Sequence, residues 1–235
     1  MGVDTLLNRS VEALAEQFFT GNAASYDHIA CVTTLGLDAW WKRKILKKIP
    51  KTSERILEQA SGTGILTCKI ASLIPQCKVI GVELNEEYLN IARNKVYDFG
   101  LNNVEFIHGR AEDVCLEGEV DCVVSDYLAK YVDLDLLVAH AGKMLREGGL
   151  IIMHELTRPT NPLYVTFWNV HFRFLRTYGI WRRPEWNMAF NDMPALLKRT
   201  RWVEELTHAL RVNGFSNIEV ENQIFGVSAI VSAKK

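Results

Sequence analysis

The sequence predicts an α/β protein with a Rossmann-like, mostly parallel sheet that ends in an antiparallel hairpin. Three observations support this prediction. From residue 54 onward, short apolar runs alternate with longer segments whose apolar residues recur at helical spacing. A Ser-Gly-Thr-Gly turn follows the first run, and two β-rich runs come last. Such alternation indicates parallel strands joined by helices on both faces of a sheet.

The strand assignments rest on short runs of apolar and β-branched residues. The first five runs are expected to be parallel strands, and the last two are expected to form the hairpin. These runs are RILEQA (55–60), KVIGVEL (78–84), NVEFIHG (103–109), VDCVVSDYL (120–128), LIIMHEL (150–156), NIEVEN (217–222) and GVSAIVSAKK (226–235).

The helix assignments rest on apolar residues three and four positions apart. The helical segments are 63–74, 85–100, 134–149 and 202–215. Asn85 is expected to cap the second helix and Gly100 to end it, because Asn favours the first position of a helix and Gly its end. Two glycines, Gly148 and Gly149, are expected to end the third helix.

Residues 159–201 interrupt this rhythm and combine aromatic with basic side chains. We interpret them as a helical, aromatic-rich lid insertion that also forms the core of a cap. Its tryptophans and arginines would suit lipid headgroups, which predicts peripheral membrane contact through residues 160–190. Residues 1–50 are expected to form an N-terminal helical cap, and 51–158 with 202–235 the Rossmann-like domain.

Composition limits the functional classes. The 235 residues are 48% apolar and 23% charged, with formal net charge −1, as in one large soluble domain or one domain with a cap. There is no basic excess, so we expect no nucleic-acid partner. Five scattered cysteines without a CxxC pair favour reduced thiols, no metal site and a cytoplasmic location. The N-terminal segment is typical of neither a secretion signal nor a membrane span.

Two acidic residues stand where ligands bind in such folds, beyond the carboxyl ends of the strands. Glu58 precedes the glycine turn, which argues against a bound phosphate and for a cationic ligand group. Glu83, about twenty residues beyond the turn, suits a ribose diol. A dinucleotide site favours Gly or Ala where this chain has Thr67. A ligand with an ammonium group and an adenosine therefore fits better than a nicotinamide or a flavin.

In the type and spacing of these residues, the sequence resembles the class I S-adenosylmethionine-dependent methyltransferases. The first motif of that family is matched by Glu58, Ala60, Gly62 and Gly64, with Ala60 in place of the first glycine. GVELNEEYLNIARNK matches the second motif. FIHGRAEDV resembles the loop on the adenine side, with Arg110 in place of the usual aspartate.

Three further segments resemble the quinone-ring C-methyltransferases of ubiquinone and menaquinone synthesis. They are SYDHIACVTTLGLDAWWKRKIL (25–46), LREGGLIIMHELTRP (145–159) and ENQIFGVSAIVSAKK (221–235). The resemblance covers residues 20–158 and 202–235. It implies a class I methyltransferase fold, S-adenosyl-L-methionine as cofactor and a small apolar or aromatic, quinone-like substrate. The oligomeric state cannot be predicted.

The strand-end rule and this resemblance together imply a set of cofactor contacts. The resemblance adds Tyr26 as part of a lid. The residues are Tyr26, Glu58, Ala60, Ser61, Gly62, Gly64, Glu83, Leu84, Arg110, Ala111, Glu112 and Ser125.

The segment after the fourth strand departs from the quinone enzymes. They carry Ser-Phe-Gly-x-Arg-Asn there, whereas residues 125–130 read SDYLAK and lack the Arg-Asn pair. A quinol carbon becomes a nucleophile when a base removes the proton of its hydroxyl group. Asp126, Tyr127 and His154 are the candidate catalytic residues, and we interpret Lys130 as a surface helix residue.

This departure leaves two alternatives open. One is an enzyme that transfers another part of the cofactor to a quinone, as the rhodoquinone-forming proteins transfer an amino group. The other is a non-catalytic partner protein that binds the cofactor. The product left from the cofactor distinguishes all three functions.

Overall fold

The structure, a computed structural model, describes residues 11–235, with side chains from Leu14 onward. The first ten residues of the predicted N-terminal cap lie outside this range. Within it, seven strands form a single sheet in the order β3-β2-β1-β4-β5-β7-β6. The strands are β1 (Arg55–Gln59), β2 (Lys78–Glu83), β3 (Val104–His108), β4 (Val120–Asp126), β5 (Leu145–Leu156), β6 (Ser216–Gln223) and β7 (Ser228–Lys234).

The strand directions confirm the predicted fold class. β1 pairs in parallel with β2 and with β4, β2 with β3, and β4 with β5. β7 runs antiparallel to β5 on one side and to β6 on the other. The carboxyl ends of the five parallel strands therefore share one edge, where a binding site is expected.

The helices begin and end close to the predicted positions, with one exception. They are α1 (Val11–Phe18), α2 (Tyr26–Thr33), α3 (Leu37–Lys48), α4 (Ile65–Leu73), α5 (Glu86–Asp98), α6 (Leu134–Met144), α7 (Pro162–Arg182), α8 (Asn187–Arg199) and α9 (Trp202–Val212). Asn85 caps α5 as predicted, because its side chain accepts the backbone N–H of Glu87 at 2.8 Å. Gly100 follows α5 with a φ of +62°.

The exception is the end of α6, for which the prediction was wrong. The helix ends at Met144, and residues 145–149 belong to β5 instead. Leu145 has an extended backbone and pairs with Val120 of β4. Arg146 binds the carboxylate of Asp121 at 2.5 Å. These pairings with β4 outweigh the helical spacing of the apolar residues.

Buried apolar residues form one cluster on each face of the sheet and a third cluster beside its carboxyl edge. The third cluster joins α1 and α2 to α7 and α8, with Trp168, Leu175 and Phe190 among its buried members. Tyr131 and Leu156 connect it to the strand ends. Residues 162–199 are therefore largely helical and pack over the edge where the predicted site lies.

Candidate active site

The turn after β1 forms the floor of a cavity at the carboxyl ends of the strands. Ala60, Gly62 and Gly64 have left-handed backbone, with φ of 56°, 57° and 78°. Such angles cost a residue with a Cβ about 1 kcal/mol or more, so Ala60 carries strain. At Gly64 a Cβ would stand 2.9 Å from that of Ala92 in α5. At Gly62 it would meet no atom within 4 Å, so bare backbone faces the cavity.

Glu83, the last residue of β2, lies beside this turn. Its carboxylate accepts the backbone N–H of Gly62 and that of Asn85, each at 2.9 Å. Burial raises its pKa, and these hydrogen bonds oppose the rise. The turn and the start of α5 thus hold the carboxylate in one position in the cavity wall, where it suits the hydroxyl groups of a ribose.

Glu58 lies below the turn and not in the cavity wall. Its carboxyl group is buried and accepts a hydrogen bond from the hydroxyl of Thr67 in α4. Burial raises its pKa to about 8, although the bond from Thr67 acts in the opposite direction. Thr67, at the position where dinucleotide sites favour Gly or Ala, thus joins α4 to β1 through Glu58.

The strand-end cavity has a volume of about 470 Å³. It brings together most of the residues predicted to bind the cofactor and two of the three predicted catalytic residues. The predicted residues that line it are Tyr26, Ala60, Gly62, Glu83, Leu84, Arg110, Ala111, Glu112, Asp126 and Tyr127. The predicted residues that lie behind its wall are Glu58, Ser61, Gly64, Ser125 and His154. The hydroxyls of Ser61 and Ser125 are buried and have no hydrogen-bond partner within the described part of the chain.

Aromatic side chains that the sequence did not single out enclose the cavity opposite the glycine turn. Phe19 meets Tyr26, Tyr88 and Tyr131 edge to face, with ring centroids 5.7 to 6.2 Å apart. The hydroxyl of Tyr88 donates to the side chain of Asn22 at 2.7 Å. No local signal separates these rings from ordinary core aromatics, because Phe19 follows α1 and Tyr88 lies in α5, so that they meet only in the folded chain.

Asp27, in the first turn of α2, fastens this aromatic cover to the glycine turn. One oxygen of its carboxylate accepts a hydrogen bond from Thr63, and the other pairs with Lys95 of α5, each at 2.5 Å. Asp27 follows Tyr26 in the Tyr-Asp motif. The motif therefore supplies a ring to the cavity and an anchor for that ring.

Asp126, the last residue of β4, is held between two nitrogen-bearing side chains. Its oxygens lie 2.6 Å from Nζ of Lys42 and 2.6 Å from Nδ1 of His154. Lys42 also pairs with Asp38, which accepts the hydroxyl of Tyr127 at 3.0 Å. Burial disfavours the charge on Asp126, but Lys42 and His154 outweigh it and lower the pKa to about 2. An ionised carboxylate therefore faces the cavity at neutral pH.

His154 lies behind Asp126, fully buried. Its ring is 5.1 Å from that of Trp41 and 5.3 Å from that of Tyr127, between centroids. Its Nε2 has no hydrogen-bond partner within residues 11–235. The structure therefore places His154 where it orients Asp126, and not in the wall of the cavity.

Tyr127 separates the cavity from a smaller space. It is a non-glycine residue with a φ of 64°. Burial raises the pKa of its phenol well above the usual value, and the charges of Asp126 and Asp38 add to this rise. The phenol is thus a neutral hydrogen-bond donor throughout the physiological range.

The smaller space, which we call the inner chamber, has a volume of about 80 Å³. Lys130 lines it and binds both carboxylate oxygens of Glu155, each at 2.7 Å. The interpretation of Lys130 as a surface residue is wrong, because only 5% of it is exposed. Burial lowers its pKa, and Glu155 opposes this shift. Lys42 and Glu155 were missed because their partners lie far away in the sequence.

The strand-end cavity fits S-adenosyl-L-methionine. Bare backbone at Gly62 leaves space for a ligand, and the Glu83 carboxylate offers acceptors to vicinal hydroxyls. Apolar walls at Val82, Ala111 and Leu128 suit a flat adenine ring. Among the residues that the structure describes, no group of three His, Cys, Asp or Glu side chains is placed to hold a metal ion.

Comparison with known sequences gives consistent matches. The model of the ubiE/COQ5 methyltransferase family matches residues 8–235. The ubiquinone/menaquinone biosynthesis C-methyltransferase UbiE of Hahella chejuensis is 30% identical over 165 residues, which cover 68% of this chain and 66% of that protein. The demethylmenaquinone methyltransferase of Bacteroides fragilis is 27% identical over 230 residues, which cover 94% of this chain and 91% of that protein.

Solved structures agree on the fold. The Haemonchus contortus phosphoethanolamine N-methyltransferase 2 in complex with S-adenosyl-L-methionine has a TM-score of 0.60 at 18% identity, over 83% of this chain and 52% of that chain. The pyocyanin biosynthetic protein PhzM has a TM-score of 0.63 at 14% identity, over 99% of this chain and 63% of that chain. This chain thus spans less than two thirds of the length of either structure.

Proposed function

Since this chain belongs to the ubiE/COQ5 methyltransferase family, we propose that it methylates a ring carbon of an apolar, quinol-type substrate in menaquinone or ubiquinone synthesis. It is an S-adenosyl-L-methionine-dependent methyltransferase. The observation that supports the substrate class is the inner chamber. Aromatic rings enclose it, and it opens on Tyr127 and Lys130 next to the cavity that fits the cofactor.

For cofactor binding, we assign the residues predicted from the sequence to two roles. The cavity-lining residues, among them Gly62, Glu83 and Ala111, contact the cofactor directly. Tyr26 covers it from the N-terminal side. Ser61, Gly64 and Ser125 support the turn and the neighbouring strand from behind. Glu58 holds α4 against β1 through its hydrogen bond with Thr67.

S-adenosyl-L-methionine supplies an electrophilic methyl group on a sulfonium when it is bound. The protein must place the acceptor carbon in line with that group and keep water out. The aromatic cover of Phe19, Tyr26 and Tyr131 excludes water. The fixed carboxylate of Asp126 contributes negative potential to the cavity, which would favour the positively charged sulfonium of the cofactor.

The acceptor ring needs its hydroxyl proton removed, and the structure offers one more group for this step than the sequence did. Asp126, with a pKa of about 2, is a weak base at neutral pH. Tyr127 remains a neutral donor. Lys130 lines the inner chamber, and burial lowers its pKa. We assign the proton acceptor or oxyanion partner of the substrate to Lys130, and the orientation of Asp126 to His154.

We propose that the insertion, residues 159–201, forms a lid over the substrate. We also propose that it is the part of the protein that contacts a membrane surface. The outer face of α7 exposes apolar residues, and the helix contains several arginines but no acidic residue. Such a face suits anionic lipid headgroups. The exposed apolar residues are Leu163, Phe167, Val170, Phe174, Ile180 and Trp181. No helix within residues 11–235 has both the length and the apolar character needed to cross a bilayer. We expect the protein in the cytoplasm, at this surface.

The family and its relatives favour methyl transfer over the two alternatives. In the first alternative the enzyme transfers another part of the cofactor, and in the second the protein binds the cofactor without catalysis. The test is to incubate the protein with S-adenosyl-L-methionine and a short-chain quinol, and to identify both products by mass spectrometry. A ring with one added methyl group, together with S-adenosylhomocysteine, is the expected result.

Two variants make this test specific. Glu83→Ala is expected to abolish turnover, whereas Glu87→Ala, in the exposed first turn of α5, is expected to leave it unchanged. An unmethylated but altered quinone would replace the proposal by the group-transfer alternative. Tight cofactor binding without turnover on quinols would favour the partner-protein alternative.

A further inference from the structure

Lys130 and Glu155 form an ion pair that is closed off from water. Nζ of Lys130 lies 2.7 Å from each carboxylate oxygen of Glu155, and the two side chains are 2% and 0% exposed. Lys130 belongs to the loop after β4, and Glu155 is the penultimate residue of β5, which pairs with β4. Removal from water costs such a pair the hydration that favours its charged form. Burial therefore brings the neutral form of the pair closer in free energy to the charged form.

The two partners face different parts of the structure. Among the residues that the structure describes, Lys130 is the one charged residue that lines the inner chamber, whereas Glu155 lies behind this lining. Nζ lies 4.4 Å from the ring centroid of Tyr131 and 5.7 Å from that of Tyr127. Oε1 of Glu155 also accepts the backbone N–H of Leu156 at 2.6 Å. The route from a molecule in the chamber to the carboxylate therefore runs through Nζ.

The hydrogen-bonding capacity of Lys130 leaves one N–H for a ligand. An ammonium group donates three hydrogen bonds and accepts none. Two of them bind Glu155, and the next acceptor, the carbonyl oxygen of Tyr127, is 3.5 Å away, which gives only a weak bond. An oxygen atom in the chamber can take this third position. The ammonium cannot accept a proton from that oxygen unless it passes one of its own protons to Glu155.

We propose that Glu155 is the final acceptor of the hydroxyl proton of the substrate and that Lys130 relays this proton. The O–H bond of the ring hydroxyl breaks as an N–H bond forms on Lys130. An N–H bond on the other side of Nζ breaks as an O–H bond forms on Glu155. The total charge is unchanged, and the ammonium remains next to the new oxyanion. The inference rests on the proposed function for the identity of the ring, and it gives Lys130 both of the roles considered there.

The surroundings of the pair favour this relay over a transfer to Asp126. Burial lowers the pKa of Lys130, while the charges of Glu155 and Asp126 oppose the shift. Asp126 itself is held as a carboxylate by Lys42 and His154, each at 2.6 Å. Glu155 has instead one ammonium, whose protons are already directed at both of its oxygens. A proton thus has a short path to Glu155 along hydrogen bonds that exist before the substrate binds.

The test uses para-nitrophenol without cofactor, because this single ring becomes visibly coloured when its hydroxyl group ionises. Absorbance measures the ionised fraction of the bound probe. Calorimetry in two buffers of different ionisation enthalpy counts the protons released to the solvent. At a pH about one unit below the pKa of the probe, about nine-tenths of the free probe is neutral. We expect the wild type to raise the ratio of anion to neutral probe at least about tenfold and to release no proton to the buffer.

Three variants make this test specific. Lys130→Arg keeps a cation beside Glu155, but a guanidinium does not give up a proton, so about one proton per ionised probe is expected in the buffer. Glu155→Gln removes the acceptor and leaves Lys130 a weak buried base, so the probe is expected to bind in its neutral form. Glu147→Gln, an exposed acid on the same strand, is expected to behave as the wild type.

The proposal is wrong if the wild type leaves the probe neutral or releases its proton to the buffer. It is also wrong if Lys130→Arg retains the proton as the wild type does, or if Glu155→Gln ionises the probe as fully. Should Glu155→Gln fail to fold, the proton counts of the wild type and of Lys130→Arg still decide. None of these measurements requires methyl transfer. A protein that ionises the probe and retains its proton, but does not methylate a quinol, contradicts only the proposed function.

Discussion

Two adjacent strand ends carry buried carboxyl groups with opposite behaviour. Glu58 belongs to β1 and Asp126 to β4, which pair in parallel in the middle of the sheet. Both side chains are removed from water, yet the pKa of Glu58 rises to about 8 and that of Asp126 falls to about 2. Burial favours the neutral acid at both positions. Within residues 11–235, Asp126 is the one of the two that has side-chain nitrogens in contact, from Lys42 and His154.

The difference teaches that a strand-end position does not determine the charge of an acid. Among the residues that the structure describes, Glu58 has only the hydroxyl of Thr67 as its side-chain partner, and the charge of Asp126 nearby raises its pKa further. The nearly buried ammonium of Lys42 comes from α3, which precedes the sheet. The N-terminal helices therefore decide which acid at this edge is ionised.

The largest expected effect comes from Lys42→Met, which removes the cation that distinguishes the two sites. A buried charge left without its partner typically costs about 3–5 kcal/mol, and here two carboxylates, Asp38 and Asp126, lose theirs. Urea denaturation at neutral pH measures the free energy of unfolding. The matched control is Lys47→Met on the exposed side of the same helix. Equal losses in the two variants would mean that Lys42 does not hold Asp126.

Glu58→Gln tests the other site through pH. The folded protein keeps the proton on Glu58 up to about pH 8, whereas the unfolded chain releases it near pH ~4.3. Between these values the unfolded state binds fewer protons, so stability falls as pH rises, by up to about 1.4 kcal/mol per pH unit from this group. The variant is expected to lack this slope. Denaturation from pH ~5 to ~8 compares it with Glu54→Gln, an exposed acid just before β1, which should retain the wild-type slope.

Asp126 is expected to give the opposite dependence at acid pH. Its folded pKa of about 2 lies below that of an unfolded Asp, near ~3.9. The stabilisation is complete above pH ~4 and is lost as pH falls through about 2, with a total of about 2–3 kcal/mol for a shift of this size. Acid denaturation of the wild type and of Asp126→Asn measures it. A variant that loses stability with acid as steeply as the wild type would contradict this assignment.

Ala60→Gly gives the smallest effect and concerns the turn that follows β1. Glycine removes the left-handed strain at φ 56°, but it also makes the unfolded chain more flexible, so the net gain is roughly 0.5–1 kcal/mol. Thermal unfolding measures it. Ala139→Gly, inside α6, should change stability by about 1 kcal/mol in the opposite direction. A loss of stability in Ala60→Gly would show that the Ala60 backbone is not strained.

The sequence predicted the sheet, and it predicted that the glycine turn and two acids lie at the strand ends, because the signals there are local. The glycine turn, the Asn85 cap and the acids at positions 58 and 83 lie within one βαβ unit, so their spacing along the chain determines their spacing in space. The terminal hairpin was also predictable from strand composition alone.

The contacts around Asp126 and Lys130 could not be predicted in the same way. Lys42 reaches Asp126 across 84 positions, and Lys130 reaches Glu155 across 25. Single-sequence patterns record neither pairing, so Lys130 was interpreted as a surface residue. A second cavity of about 460 Å³ likewise brings together Trp41, Phe167 and Phe225 from three separate segments. The local sequence around each of these residues is typical of an ordinary core aromatic, because the three rings come together only in the folded chain.

The position of β7 has a consequence for the synthesis of the protein. β7 is the last strand in chain order, yet it lies between β5 and β6. One edge of β5 therefore remains unpaired until β7 is synthesised. About seventy more residues must be translated first, which takes several seconds at ribosomal rates. During that interval the nascent chain carries an open, apolar strand edge, the kind of surface that invites aggregation and that chaperones bind. Slow translation of residues 157–227 should therefore reduce the yield of native protein even though no residue has changed.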